Sequence, residues 1–121
     1  EHYAGRFPVW LSPEQLRIIQ VKDTEEIAQC ASDIYQQALS LGIRATVDDS
    51  NETVGKKIRS SATQKVPYTV VVGEREATDK QVTPRIRADL QVNDQESSYK
   101  IDHFLSSLNN EIRSRASRSS L

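Results

Sequence analysis

The chain has 121 residues and a formal net charge of -1, enough for one hydrophobic core and too little for two. Its composition, 36% hydrophobic and 27% charged, leaves no apolar run near the roughly 20 residues that a membrane helix needs, so a helical span is excluded. Cys30 is the only cysteine, which rules out an intrachain disulfide and a four-thiolate zinc site.

Residues 1–8 lack the basic and apolar regions of a leader, and the chain holds no Met; a piece of a longer, cytoplasmic protein is expected. Residues 16–21 (Leu-Arg-Ile-Ile-Gln-Val) are β-rich and follow a proline-bounded segment, and they read as the first strand. Asp23 stands three residues before Glu26, a capping-box spacing with Asp as the cap. Ile27, Cys30, Ala31, Ile34, Ala38 and Leu41 then recur at helical spacing as far as Gly42. Residues 43–49 return to strand chemistry. Val54, Ile58 and Ala62 mark one side of a second helix, and residues 68–72 (Tyr-Thr-Val-Val-Val) form a strand apolar on both faces. This βαβαβ order implies right-handed crossovers and a parallel core with the first strand in the middle.

Beyond Gly73, residues 75–77 and 81–87 read as two short strand pieces around Thr78-Asp79-Lys80, a hairpin-like addition. Pro84 confines the second piece to an edge or a bulge. Residues 90–98 read as loop. Ile101, Phe104, Leu105, Leu108 and Ile112 give a helical stripe that should cover one sheet face.

No enzyme site is visible. His2 and His103 belong to no ligand or triad spacing and read as solvated surface residues, while Cys30 reads as a small core residue. Asp48, Asp49 and Glu52 lack the spacing of a calcium loop and suit the N-terminus of the second helix. Gly55-Lys56-Lys57 lacks the first glycine and the following hydroxyl of a phosphate loop.

Between residues 53 and 66, Lys56, Lys57, Arg59 and Lys65 face no acid, a local cationic surface on a nearly neutral chain. Such a run is often only a solvated helix face. Its position beside the carboxyl ends of parallel strands, with Asn51 next to it and Arg85 and Arg87 on the edge strand, suits a single-stranded nucleic acid.

Phe7-Pro8-Val9-Trp10-Leu11-Ser12-Pro13-Glu14-Gln15 resembles the Phe-Pro-x-Trp-Leu-(Ala or Ser)-Pro-x-Gln entrance to the C-terminal anticodon-binding domain of class II threonyl-tRNA synthetases. Gly42-Ile43-Arg44, Asn51-Glu52, Gly55 with Lys57-Ile58-Arg59, Val66-Pro67-Tyr68 and Glu111-Ile112-Arg113-Ser114-Arg115 continue the resemblance. It implies an α/β fold of three layers, a five-stranded mixed sheet with three helices. Residues 1–13 would be a linker from a preceding catalytic domain, 14–115 the anticodon-binding domain and 116–121 a flexible tail.

The function implied is binding of the anticodon loop of threonine tRNA, where the family reads the second and third bases, G and U. Carried over by position, Asn51, Arg59, Glu76 and Arg85 would read bases, and Lys56, Lys57, Lys65 and Arg87 would contact the RNA backbone. The parent would be a cytoplasmic, ATP-dependent threonine–tRNA ligase, a homodimer using ATP, magnesium and zinc, with its catalytic site on another domain of the same chain. Two alternatives stay open: the equivalent domain of a prolyl-, histidyl- or glycyl-tRNA synthetase, and a protein-interaction module of the same fold.

Overall fold

A computed structural model of the chain describes residues 12–22, 24–86 and 98–114. The elements in chain order are β1 (Leu16–Gln20), α1 (Glu25–Ser40), β2 (Ala45–Asp48), α2 (Val54–Thr63), β3 (Tyr68–Val72), α3 (Glu74–Asp79), β4 (Gln81–Val82), β5 (Arg85–Ile86), β6 (Tyr99–Lys100) and α4 (Ile101–Ser114). The main sheet has the order β2-β1-β3-β5, with β1 parallel to both neighbours and β5 antiparallel to β3. The first strand is therefore central, as the βαβαβ order requires. β2 ends the sheet on one side. No helix among the described residues is long and apolar enough to cross a membrane.

Alternation along the strands assigns the two faces. Leu16, Ile18, Tyr68, Val70 and Val72 point to one side and join Ile27, Ile34, Ala38, Phe104, Leu105 and Leu108 in the core under α1 and α4. There the Tyr68 and Phe104 rings meet edge to face, 5.9 Å apart. The Tyr68 hydroxyl donates to Glu111 Oε1 at 2.6 Å, so Glu111 is a buried structural acceptor. α1 closes where residue pattern and chemistry agree. Gly42, at φ +79°, takes the left-handed position, and the Ile43 and Gly42 amides donate to the carbonyls of Ala38 and Leu39.

The opposite face is covered by α2 and is largely polar. Arg17 donates to both Glu14 carboxylate oxygens at 2.7 Å and also to Gln64, Thr46 donates to Glu14 at 2.6 Å, and the Ser61 and Thr69 hydroxyls meet at 2.6 Å. The bidentate bond from Glu14 raises the Arg17 pKa further, against the opposing pull of burial.

Several expectations need correction. The N-cap of α1 is Thr24, which makes no side-chain cap bond, and Asp23 lies outside the described residues. The buried side of α2 is not Val54-Ile58-Ala62 but Lys57 and Ser61; Val54 and Ile58 are half-buried and Ala62 is exposed. Residues 75–77 are helical. Glu76 Oε1 accepts from the Gly73 amide at 2.8 Å, half of a capping box, since glycine has no side chain to return the bond. Residues 81–86 split at Thr83-Pro84 into β4 and β5, which enter different sheets, so the proline marks a crossing between sheets. β6, paired with β4, was not expected. Among the described residues this makes six strands in two sheets and four helices, where five strands and three helices were expected. The entrance motif through Leu11, the segment 87–97 and the tail from Arg115 lie outside the described residues.

Candidate nucleic-acid interface

Parallel strands with right-handed crossovers deliver every strand end and the following helix start to one edge of the sheet. Here that edge carries Gln20 at the end of β1 with Val21-Lys22 after it, Asp49-Ser50-Asn51-Glu52 after β2, and Gly73 with the first turn of α3 after β3. A recess of about 230 Å³ opens between the first two segments, lined by Gln20, Lys22, Asn51, Glu52 and Lys57 among others. Its shape depends on a tight local turn. The Asp48 carboxylate accepts from the Ser50 hydroxyl at 2.7 Å and the Ser50 amide at 3.1 Å. Burial pushes the Asp48 carboxyl up, but the Ser50 bonds, with Lys57 and Arg17 nearby, hold it below its ordinary value. The cap of α2 is Thr53, whose hydroxyl oxygen accepts from the Lys56 amide at 3.2 Å, so Asp48, Asp49 and Glu52 do not serve as its cap.

Asn51 is exposed on this edge. Glu76 sits on the same edge in the first turn of α3, half-buried. One strand, β1, separates β2 from β3, so the strands that lead to the two residues lie two spacings apart, about 10 Å. One Glu76 oxygen is held by the Gly73 amide. A small polar recess of about 60 Å³ adjoins Glu76, lined also by Arg75, Gln81, Thr83 and Ser98.

The remaining expected residues are spread more widely. Arg85 is exposed on β5 opposite Thr69, three residues and about 10 Å back from the end of β3. Arg59 is exposed on α2, two residues from each of the buried Lys57 and Ser61, hence about 200° round the helix and turned away from the sheet. Lys65 follows the far end of α2, half-buried in a left-handed turn at φ 59°. Arg87 lies outside the described residues.

The cationic surface is thinner than the charge count suggests. Glu52, one residue outside the acid-free window, pairs with Lys56 at 3.0 Å. Both partners are more than half exposed, so the bond is weak and opens readily to a competing phosphate. Lys57 is 5% exposed, and its Nζ donates to the Gln20 carbonyl at 3.0 Å and the Asp48 carbonyl at 3.5 Å. Its burial leaves little of it on the surface for the RNA-backbone contact expected of it. Lys22 and the segment around it were missed; the central place of β1 is the signal that would have found them.

Other reactive groups are muted. Burial pushes the Cys30 thiol up, away from thiolate character. His103 is exposed and stacks on Tyr99, ring centroids 5.7 Å apart. Among the described residues no group of three His, Cys, Asp or Glu side chains is placed to hold a metal ion.

The model of the anticodon binding domain family matches residues 15–111. The threonine–tRNA ligase of Clostridioides difficile is 41% identical over 117 residues, 97% of this chain and 17% of that protein. Among solved structures, the RNA binding domain of threonyl-tRNA synthetase from Cryptosporidium parvum superposes with a TM-score of 0.79 at 29% identity, over 90% of this chain and 26% of that one. Prolyl-tRNA synthetase from the same organism follows at a TM-score of 0.75 and 25% identity, over 89% and 23%. The chain thus spans about a sixth of the length of the curated relative, 17%.

Proposed function

We propose, from the premise that the chain belongs to the anticodon binding domain family, that it binds the anticodon stem-loop of threonine tRNA within a threonine–tRNA ligase. The observation that carries this reading is the carboxyl edge of the sheet. Two side chains able to match base edges, Asn51 and Glu76, follow strands that lie about 10 Å apart with β1 between them, a separation well beyond the roughly 3.4 Å rise of stacked bases. Such spacing suits two splayed bases of a loop, the form in which RNA sequence is read. A carboxylate accepts from guanine N1–H and N2–H; an amide matches uracil's mixed edge. Arg85 and Arg59 approach from β5 and from the outer side of α2, and Lys56 and Lys65 add charge for the backbone.

The domain supplies recognition and no chemistry. ATP-dependent threonylation, with magnesium and zinc, belongs in this reading to a catalytic domain elsewhere in a longer cytoplasmic protein, a homodimer. The threonyl branch is favoured over the prolyl one by the 41% identity to a threonine–tRNA ligase along 97% of the chain.

The test is a titration of the 121-residue chain with the threonine anticodon stem-loop and with loops changed at the second or third anticodon base. Glu76→Gln keeps an oxygen for the Gly73 amide and removes the carboxylate, and Arg85→Ala removes the guanidinium. Each is expected to cost about 1–3 kcal/mol and to relax discrimination at one base. If replacing the central anticodon G left binding by the unaltered chain unchanged, base reading at this edge would be wrong.

A further inference from the structure

Lys57 is the buried lysine of α2, and its surroundings are built for it. The β1–β2 ladder runs from Leu16↔Ala45 to its last rung at Ile19↔Asp48. The two carbonyls that Nζ reaches, Gln20 and Asp48, lie at and just past that rung. Parallel strands diverge where their ladder ends, and carbonyls there lose backbone partners. A buried charge persists only when hydrogen-bonded, and this one is bonded to both strands at once. The Asp48 carboxylate, on the same face of the sheet as α2, supplies opposite charge and holds Ser50 in the turn that presents Asn51. Lys57 also lines the recess beside Asn51 with the little surface it keeps, 5% of the residue.

We propose that Lys57 is a positioning residue for base discrimination: it clamps the carboxyl ends of β1 and β2, fixes the Asn51 loop, and does not itself touch RNA. The proposal rests on the reading of this edge as the RNA-contacting surface.

Three roles are separable by experiment. Lys57→Met, Asn51→Ala and the double variant are titrated with the native stem-loop and with loops altered at the second or third anticodon base, at two salt concentrations. The expected result for Lys57→Met is a loss of about fivefold or more in discrimination at one base, with the salt dependence of binding unchanged. Asn51→Ala should lose discrimination at the same base, and the double variant should lose no more than the larger single loss. A salt slope reduced by about one with discrimination intact would make Lys57 a phosphate contact and overturn the proposal. A lower melting temperature with both quantities intact would make it merely structural and overturn it equally.

Should Lys57→Met fail to fold, Lys57→Gln, which keeps a donor and removes the charge, is read in the same way. Should the unaltered chain show no discrimination, the RNA reading of the edge falls separately. Lys57 is then judged without RNA by amide exchange across residues 49–52, expected to quicken by about tenfold or more in the variant. Unchanged exchange would remove the clamp.

Discussion

Under α1 and α4 the sheet offers Leu16, Ile18, Tyr68, Val70 and Val72, each buried in the apolar core; under α2 it offers Arg17, Thr46, Asp48 and Thr69, with Ile19 and Val71 the apolar exceptions. The first face holds by area removed from water, a force without direction. The second holds by bonds with defined partners: Arg17 to Glu14 and Gln64, Thr46 to Glu14, Ser61 to Thr69, Lys57 to two carbonyls. Directional bonds contribute less net stability each, but they fix angles and distances. The difference teaches where precision is placed. The apolar face supplies burial, and the polar face supplies fixed partners, among them Lys57 at the carboxyl ends of β1 and β2.

The contrast can be broken by substitution. Phe104→Ala opens the apolar side opposite Tyr68 and should cost about 3–5 kcal/mol in urea unfolding, with an unchanged denaturant slope. If a polar-side variant cost as much, the division of labour would be wrong. Ser61→Ala leaves the buried Thr69 hydroxyl without the bond it makes now and should cost about 1–2 kcal/mol. Adding Thr69→Val should restore most of that loss, because removing both partners is cheaper than removing one. The smallest effect is expected at the rim. Lys56→Ala should change stability by less than about 0.5 kcal/mol. It should also weaken every stem-loop alike and lower the salt slope by about one. A sequence-dependent loss there would move Lys56 into the base-reading group.

The same contrast explains what the sequence disclosed. β1, β3, α1 and α4 carry apolar residues at regular spacing, and their presence, the central place of β1 and the stripe of α4 are readable without coordinates. α2 is readable as a helix, but its orientation is not. Lys57 and Ser61 face inward because carbonyls at Gln20 and Asp48 and a hydroxyl at Thr69 await them, partners that no local periodicity reveals. Residues 74–79 mislead for another reason. Six residues are too few for a periodic signal, and the clue was Glu76 standing three residues after Gly73, with Glu74 in the first turn. The placement of Asn51 at the carboxyl edge follows from topology alone. That Lys57 turns inward to two strand-end carbonyls does not, since exposed and buried lysines look alike in one dimension.

The position of β2 at the end of the sheet carries a last consequence, for self-association. A sheet edge is a template on which another chain can add a strand. Among the described residues the outer side of β2 has no strand partner, yet the strand is only Ala45–Asp48, four residues, too short to template much pairing. Exposed Arg44 precedes it, exposed Thr46 interrupts it, and Asp48 and Asp49 end it in negative charge. A second copy docking in parallel register would stack those aspartates against their equivalents. The Asp48 carboxylate that holds the loop after β2 therefore also counts against parallel pairing of this edge with a second copy.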